Sequence, residues 1–202
     1  RVRLRAVARR TWHYYETFVT AEHSFLPPDN FQETPHPVVA NRTSPTNIGM
    51  YLISTVSARD FGWISMQDAV ERMEATMATI ERMERSRGHL YNWYDTKTLL
   101  PLHPLYISAV DSGNLAGHLI AMGGACEEWA QSPSVYMQGD FEGMLDVVNV
   151  LQEHLDAVPD DRRAVRPLRQ RLQDRIDGMR RTVETVRSEP ELASIRTLNL
   201  AV

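Results

Sequence analysis

Two helical stretches that are apolar nearly all round, Ile48 to Val56 and about Asn114 to Trp129, limit what this chain can become. A helix with one apolar stripe can lie on a surface, whereas one that is apolar on most sides has to be covered from several directions. The second stretch also carries Ala116, Gly117, Ala121, Gly123, Gly124 and Ala125, small residues that let neighbouring helices approach closely. With Asn47 laid on Asn114, Ile48 meets Leu115, Leu52 meets Leu119, Ile53 meets Ile120 and Ala58 meets Ala125. A more amphipathic segment lies between them, so the pattern predicts helical hairpins in which buried inner helices alternate with outer ones.

The remaining segments fit that scheme. From about Val2 to Ala21, Leu4, Val7, Ala8, Trp12, Tyr15 and Phe18 or Val19 follow the spacing of a helix with one buried stripe. Thr43 or Ser44 can cap the next helix, Pro45 suits its first position, and Gly62 closes it. In a third helix, Met66 to Arg87, Ser65 is the cap with Asp68 three residues on, and Met66, Val70, Met73, Met77, Ile80 and Met83 or Glu84 face inward as core packing. Beyond Trp129 come a loop from Gln131 to Gly139, amphipathic helices at about Phe141 to Ala157 and Arg162 to Ser188, and a last helix near Pro190. The arginines of the Arg162 helix alternate with Asp174, Asp177, Glu184 and Glu189, which reads as a solvated, ion-paired face rather than a polyanion site. No strand-like alternation of useful length occurs, so the class is all-α.

Composition removes several functions. A net charge of −4 argues against nucleic acid or anionic lipid as a partner. No apolar run approaches the roughly 20 residues that span a bilayer, and no signal peptide is visible. The chain starts Arg-Val-Arg and reads as part of something longer. The seven histidines form no HExxH and no Cys/His cluster, so neither a metal site nor a cofactor is expected. Cys126, in the run AMGGACEEW, reads as a buried core thiol.

Chemistry concentrates in two loops. Ser24 to Arg42, with Pro27, Pro28, Pro35 and Pro37, has to be extended and, from Phe25, Leu26, Phe31, Val38 and Val39, packed. It offers Asp29, Asn30 and Arg42. Gly88 to Gly117 offers Asn92, Trp93, Tyr94, Asp95, Asp111 and Asn114. Both loops lead into the N-terminal ends of predicted inner helices, so they converge on one face. Carboxylates, amides and a guanidinium beside flat rings suit a sugar, which presents hydroxyls at its edge and C–H groups on its face. Simpler roles exist for each residue: Asp111 and Asn114 can cap a helix, Trp93 and Tyr94 can plug a core, and Asp29-Asn30 can form a turn. Asp29, Asp95 and Asp111 are the acids available for glycoside chemistry.

The strings LPPDNFQ, RTSPTNIGMYLISTVSARDFGWI, GHLYNWYDTKTLLPL and VDSGNLAGHL resemble the middle, glycoamylase-like region of cyclic β-1,2-glucan synthases. The resemblance covers Arg1 to Trp129 closely and the rest loosely. It implies about half of an (α/α)6 toroid, with residues 1–129 bearing the substrate loops and 130–202 supplying peripheral helices. It also implies transglycosylation that closes linear β-1,2-glucan into a ring, after a membrane-embedded glycosyltransferase part has built the chain from UDP-glucose. The implied partners are β-1,2-glucan, the other half of the domain and the membrane part, which places the segment at the cytoplasmic face of an inner membrane. Asp29, Asn30, Arg42, Asn92, Trp93, Tyr94, Asp95, Asp111 and Asn114 take substrate-lining roles by this resemblance. The acidic motifs associated with catalysis in the family are not matched before Val202, so no catalytic residue is assigned. With only six or seven helices, the inner faces of the two apolar helices should be left exposed and self-association is expected. The alternatives are a stand-alone glycoside hydrolase using Asp95 and Asp111, and a non-catalytic helical interaction module.

Overall fold

The computed structural model describes residues 2–131, 138–159 and 165–188. Six α-helices account for most of them: α1 Val2–Phe18, α2 Pro45–Asp60, α3 Met66–Arg82, α4 Ala109–Gln131, α5 Gln138–Asp156 and α6 Arg166–Ser188. The strands are two residues each, β1 Phe31–Gln32 with β2 Val38–Val39, β3 Arg42–Thr43 with β6 Tyr94–Asp95, and β4 Arg85–Ser86 with β5 His89–Leu90, all antiparallel. The class is all-α, as expected of helical hairpins drawn from an (α/α)6 toroid.

The chain divides into two compact units. Among the described residues, one contains 10–59 and 64–131, the other 2–9, 60–63, 138–159 and 165–188. In the first, Leu26, Ile48, Leu52, Val56, Met73, Ile80, Met83, Leu90 and Tyr94 form the core, and Leu115, Leu119, Met122, Ala125 and Trp129 of α4 pack on it. The matched pairs Ile48/Leu115 and Leu52/Leu119 therefore face the same core. Ile53/Ile120 is not such a pair, because Ile53 packs on the core and Ile120 is 77% exposed.

Local chemistry explains most helix ends. Ser44 Oγ accepts from the Asn47 N–H at 3.2 Å and the Ser44 carbonyl accepts from the Ile48 N–H, so Ser44 caps α2 with Pro45 in its first position. Ser65 and Asp68 form the expected capping box at α3. That helix stops at Arg82, five residues short of expectation, because Arg87 (φ 52°) and Gly88 (φ 85°) make a tight turn between β4 and β5. Two successive positive φ values match the twist of a two-residue hairpin, and Gly88 was the sequence sign of it. The inward face of α3 is also displaced. Val70 is exposed, while Ala69, Thr76 and Thr79 are buried. Thr76 Oγ1 donates to the Phe25 carbonyl (2.9 Å) and Thr79 Oγ1 to the Ser24 carbonyl (2.8 Å), holding two consecutive residues at positive φ.

α1 ends at Phe18 rather than Ala21, and a 3-10 turn, Ala21–His23, follows it. α4 starts at Ala109, five residues before the expected Asn114. Ser108 Oγ accepts from the Asp111 N–H at 3.1 Å and its carbonyl accepts from the Ser112 N–H, so Ser108 is the cap and Asp111 and Asn114 lie inside the helix. None of the α4 residues is fully buried, and Val110 is 71% exposed. Nothing lies within 4 Å of a Cβ built on Gly113, Gly117, Gly123 or Gly124. The open apolar face expected of α4 is present. That of α2 is not, because Ile48, Tyr51, Leu52, Thr55, Val56 and Ala58 are all buried. Cys126 is exposed rather than a core thiol, because it lies outside the α4 stripe formed by Leu115, Leu119, Met122, Ala125 and Trp129.

In the second unit, Val148 and Leu155 of α5 pack with Ile176 of α6. Arg5 Nη2 pairs with Asp146 at 2.6 Å and also donates to the Phe61 carbonyl, while Trp63 Nε1 donates to the same carboxylate at 2.9 Å. On α6 the acids are met by Gln170 and Gln173, which donate to Asp174 and Asp177, and Arg169 pairs with Asp156 at 3.9 Å. The helix expected near Pro190 and the residues Arg162 and Arg163 lie outside the described residues.

Candidate functional site

The two loops singled out by composition are joined through their backbones. β3 and β6 pair Arg42 with Asp95 and Thr43 with Tyr94, and the Thr96 N–H donates to the Asn41 carbonyl at 3.0 Å. Side chains then close a circuit around the first turn of α2. Asp29 Oδ2 accepts from Arg42 Nε (3.1 Å) and Nη2 (2.9 Å) and from Asn30 Nδ2 (3.1 Å), and its Oδ1 accepts from Asn47 Nδ2 (3.2 Å). The Arg42 guanidinium carbon stands 4.8 Å from the centre of the Trp93 ring, a stacking contact that adds to the forked ion pair.

Asn92 carries the circuit onward. Its amide orientation, assigned by its partners, puts Oδ1 where it accepts from Trp93 Nε1 (2.8 Å) and the Tyr106 hydroxyl (2.6 Å), and Nδ2 where it donates to Asp111 Oδ2 (2.9 Å). Thr46 Oγ1 donates to Asp111 Oδ1 at 2.6 Å and accepts from Asn114 Nδ2 at 3.1 Å. Thr46 and Asn47 are neighbours on α2, so the path Asp29, Arg42, Trp93, Asn92, Asp111, Thr46, Asn47 returns to Asp29. Seven of the predicted residues are thereby brought together: Asp29, Asn30, Arg42, Asn92, Trp93, Asp111 and Asn114.

Two predicted residues have other roles. Tyr94 is fully buried; its hydroxyl donates to the Glu84 carbonyl (2.6 Å) and accepts from the Tyr91 N–H (2.7 Å), so no face is left for a ligand. Burial raises its pKa. Asp95 Oδ1 accepts from the Lys97 N–H (2.9 Å), the Thr98 N–H (2.8 Å) and the Thr98 hydroxyl (3.1 Å), fixing a turn. Partial burial pushes its pKa up, but these bonds and the Lys97 charge outweigh it and hold the carboxyl below its ordinary range. It is a turn-former and is kept ionised.

Thr46, Asn47 and Tyr106 were not singled out in the sequence. Asn47 carried a sign in its match to Asn114; Thr46 and Tyr106 carried none. Groups facing outward are Arg42, Asn30, Asn114 and Tyr106, with Trp93 half-buried, while Asp29, Asn92 and Asp111 hold them in place. Among the described residues, the site is therefore an arrangement of pinned donors and rings rather than a pair of free carboxyl groups.

Residues 6–116, more than half of the chain, match the family described as a protein of unknown function, DUF3131, and the chain belongs to that family. Its sequence is also 58% identical, over 199 residues and 98% of its length, to cyclic beta-(1,2)-glucan synthase NdvB of Rhizobium meliloti (strain 1021). The resemblance noted from four short strings is thus borne out along nearly the whole chain. The chain spans 7% of that relative's length. Two crystal structures of glucoamylase candidates also align with it, from Bacteroides fragilis NCTC 9343 (18% identity, TM-score 0.40, covering 86% of this chain and 34% of the other) and Bacteroides caccae ATCC 43185 (18% identity, TM-score 0.42, 84% and 34%). No helix among the described residues is long and apolar enough to cross a membrane.

Proposed function

We propose that this chain is a segment of a β-1,2-glucan-processing enzyme, in which the two paired loops hold a linear glucan while other parts of the parent protein cyclise it by transglycosylation. The observation that carries the reading is the closed circuit from Asp29 through Arg42, Trp93, Asn92 and Asp111 to Thr46 and Asn47, in a chain 58% identical to part of a protein named as a cyclic glucan synthase. Arg42, Asn30 and Asn114 offer donors to sugar hydroxyls and Trp93 offers a ring edge. Asp29, Asn92 and Asp111 keep those groups in position, and no catalytic residue is assigned. The open face of α4 fits a helical domain completed by further helices of the parent, and the parent would hold this segment at the cytoplasmic side of a membrane.

Calorimetry with linear β-1,2-gluco-oligosaccharides on the complete parent enzyme tests this. Binding that weakens about tenfold in Trp93→Ala, the size expected from losing one aromatic contact, supports the assignment. Wild-type affinity in Trp93→Ala and in Arg42→Ala, with the fold intact, defeats it.

A further inference from the structure

We propose that Tyr106 is the platform on which a glucosyl ring stacks; the proposal rests on the glucan-holding reading above. Tyr106 sits between β6 and α4, and its side chain combines exposure with immobility. The residue is 46% exposed, yet its hydroxyl donates to Asn92 Oδ1 at 2.6 Å and its carbonyl accepts from the Asn92 N–H at 2.9 Å. One buried asparagine thus grips both the backbone and the tip of the tyrosine.

A surface tyrosine usually leaves its hydroxyl to water and samples several rotamers, losing that freedom on binding at a cost in affinity. Here the cost is met within the folded protein, because Asn92 is itself locked by Trp93 and Asp111. Leu105 and Ile107, on either side of Tyr106, are exposed as well. An exposed ring whose hydroxyl is held by Asn92, itself bonded to Asp111, meets the two-part character of a sugar: a flat face for C–H groups beside polar groups for hydroxyls.

The test uses the complete parent enzyme and linear β-1,2-gluco-oligosaccharides, with KM and kcat measured separately. Tyr106→Ala should raise KM about tenfold with little change in kcat, and Tyr106→Trp should recover part of that loss, since it restores a flat ring but not the hydroxyl that Asn92 holds. If Tyr106→Ala folds poorly, Tyr106→Leu keeps apolar bulk without a ring and should show the same KM increase. Unchanged KM in the Ala or Leu variant, alongside a raised KM in Trp93→Ala, overturns the stacking role and leaves the glucan reading standing. A loss confined to kcat also overturns it, because that pattern marks a residue acting through the shape of the site. Unchanged KM in both Tyr106→Ala and Trp93→Ala overturns the platform and the glucan reading together.

Discussion

Thr46 Oγ1 donates to Asp111 Oδ1 at 2.6 Å, tying the first turn of α2 to the first turn of α4 across 65 residues of sequence. The bond is charge-assisted and partly buried. Thr46→Val keeps the shape and removes the donor, so it should lower stability by about 1–2 kcal/mol in urea unfolding. An unchanged midpoint would show that water replaces the hydroxyl at no cost.

Gly49 lies where α2 and α4 touch. A Cβ built there stands 2.6 Å from His118 Nδ1 and 3.2 Å from its Cβ, so the imidazole would have to move. Gly49→Ala should destabilise the protein by about 1–3 kcal/mol, despite alanine's better helix propensity. Adding His118→Ala should return part of that loss, measured as a non-additive pair in thermal melts.

His23 provides the pH dependence. It is buried, and its Nδ1 lies 2.8 Å from Thr96 Oγ1. Burial, followed by the positive charge of Lys97, lowers its pKa from the ordinary 6.5, with Glu22 and Asp95 acting in the opposite direction. Since the folded value is the lower one, the unfolded chain takes up the proton first as pH falls. The stability tied to His23 should be fully present above about pH 6.5 and be lost as pH drops through the folded value. His23→Gln should flatten that part of a stability-against-pH curve; an equal slope in both proteins would exclude His23 as its source.

Cys126 is an exposed thiol on α4. The native chain should react with a thiol reagent to one equivalent without denaturant. Reaction only after unfolding would mean that the α4 face is covered in solution, for example by a second copy.

The helices could be read from the chain because their apolar spacing follows burial directly, as Ile48 and Leu52 against Leu115 and Leu119 show. Ends were harder to read. Ser108 caps α4 from a position that composition did not favour over Asp111, since either side chain can accept from a backbone N–H. Cys126 and Val70 were misplaced because periodicity locates a stripe only to within about one residue, and here Thr76 and Thr79 take the inner places to reach two loop carbonyls. In the site, the residue types and the meeting of the two loops were readable. The division of labour was not: Tyr94 and Asp95 have the same chemistry as binding residues, and only contacts 2–10 positions away in sequence reveal that Tyr94 serves the core and Asp95 a turn.

The path from Asp29 back to Asp29 has no loose end, and that gives the loops redundancy. Cutting the Arg42 to Trp93 contact leaves them joined by way of Asp111, Thr46, Asn47 and Asp29, and cutting the Thr46 to Asp111 bond leaves them joined by way of Arg42 and Trp93. A single lesion should therefore be partly masked. Arg42→Ala combined with Thr46→Val should lose more than the sum of the two alone, the behaviour of loops whose side chains are joined by two routes rather than one.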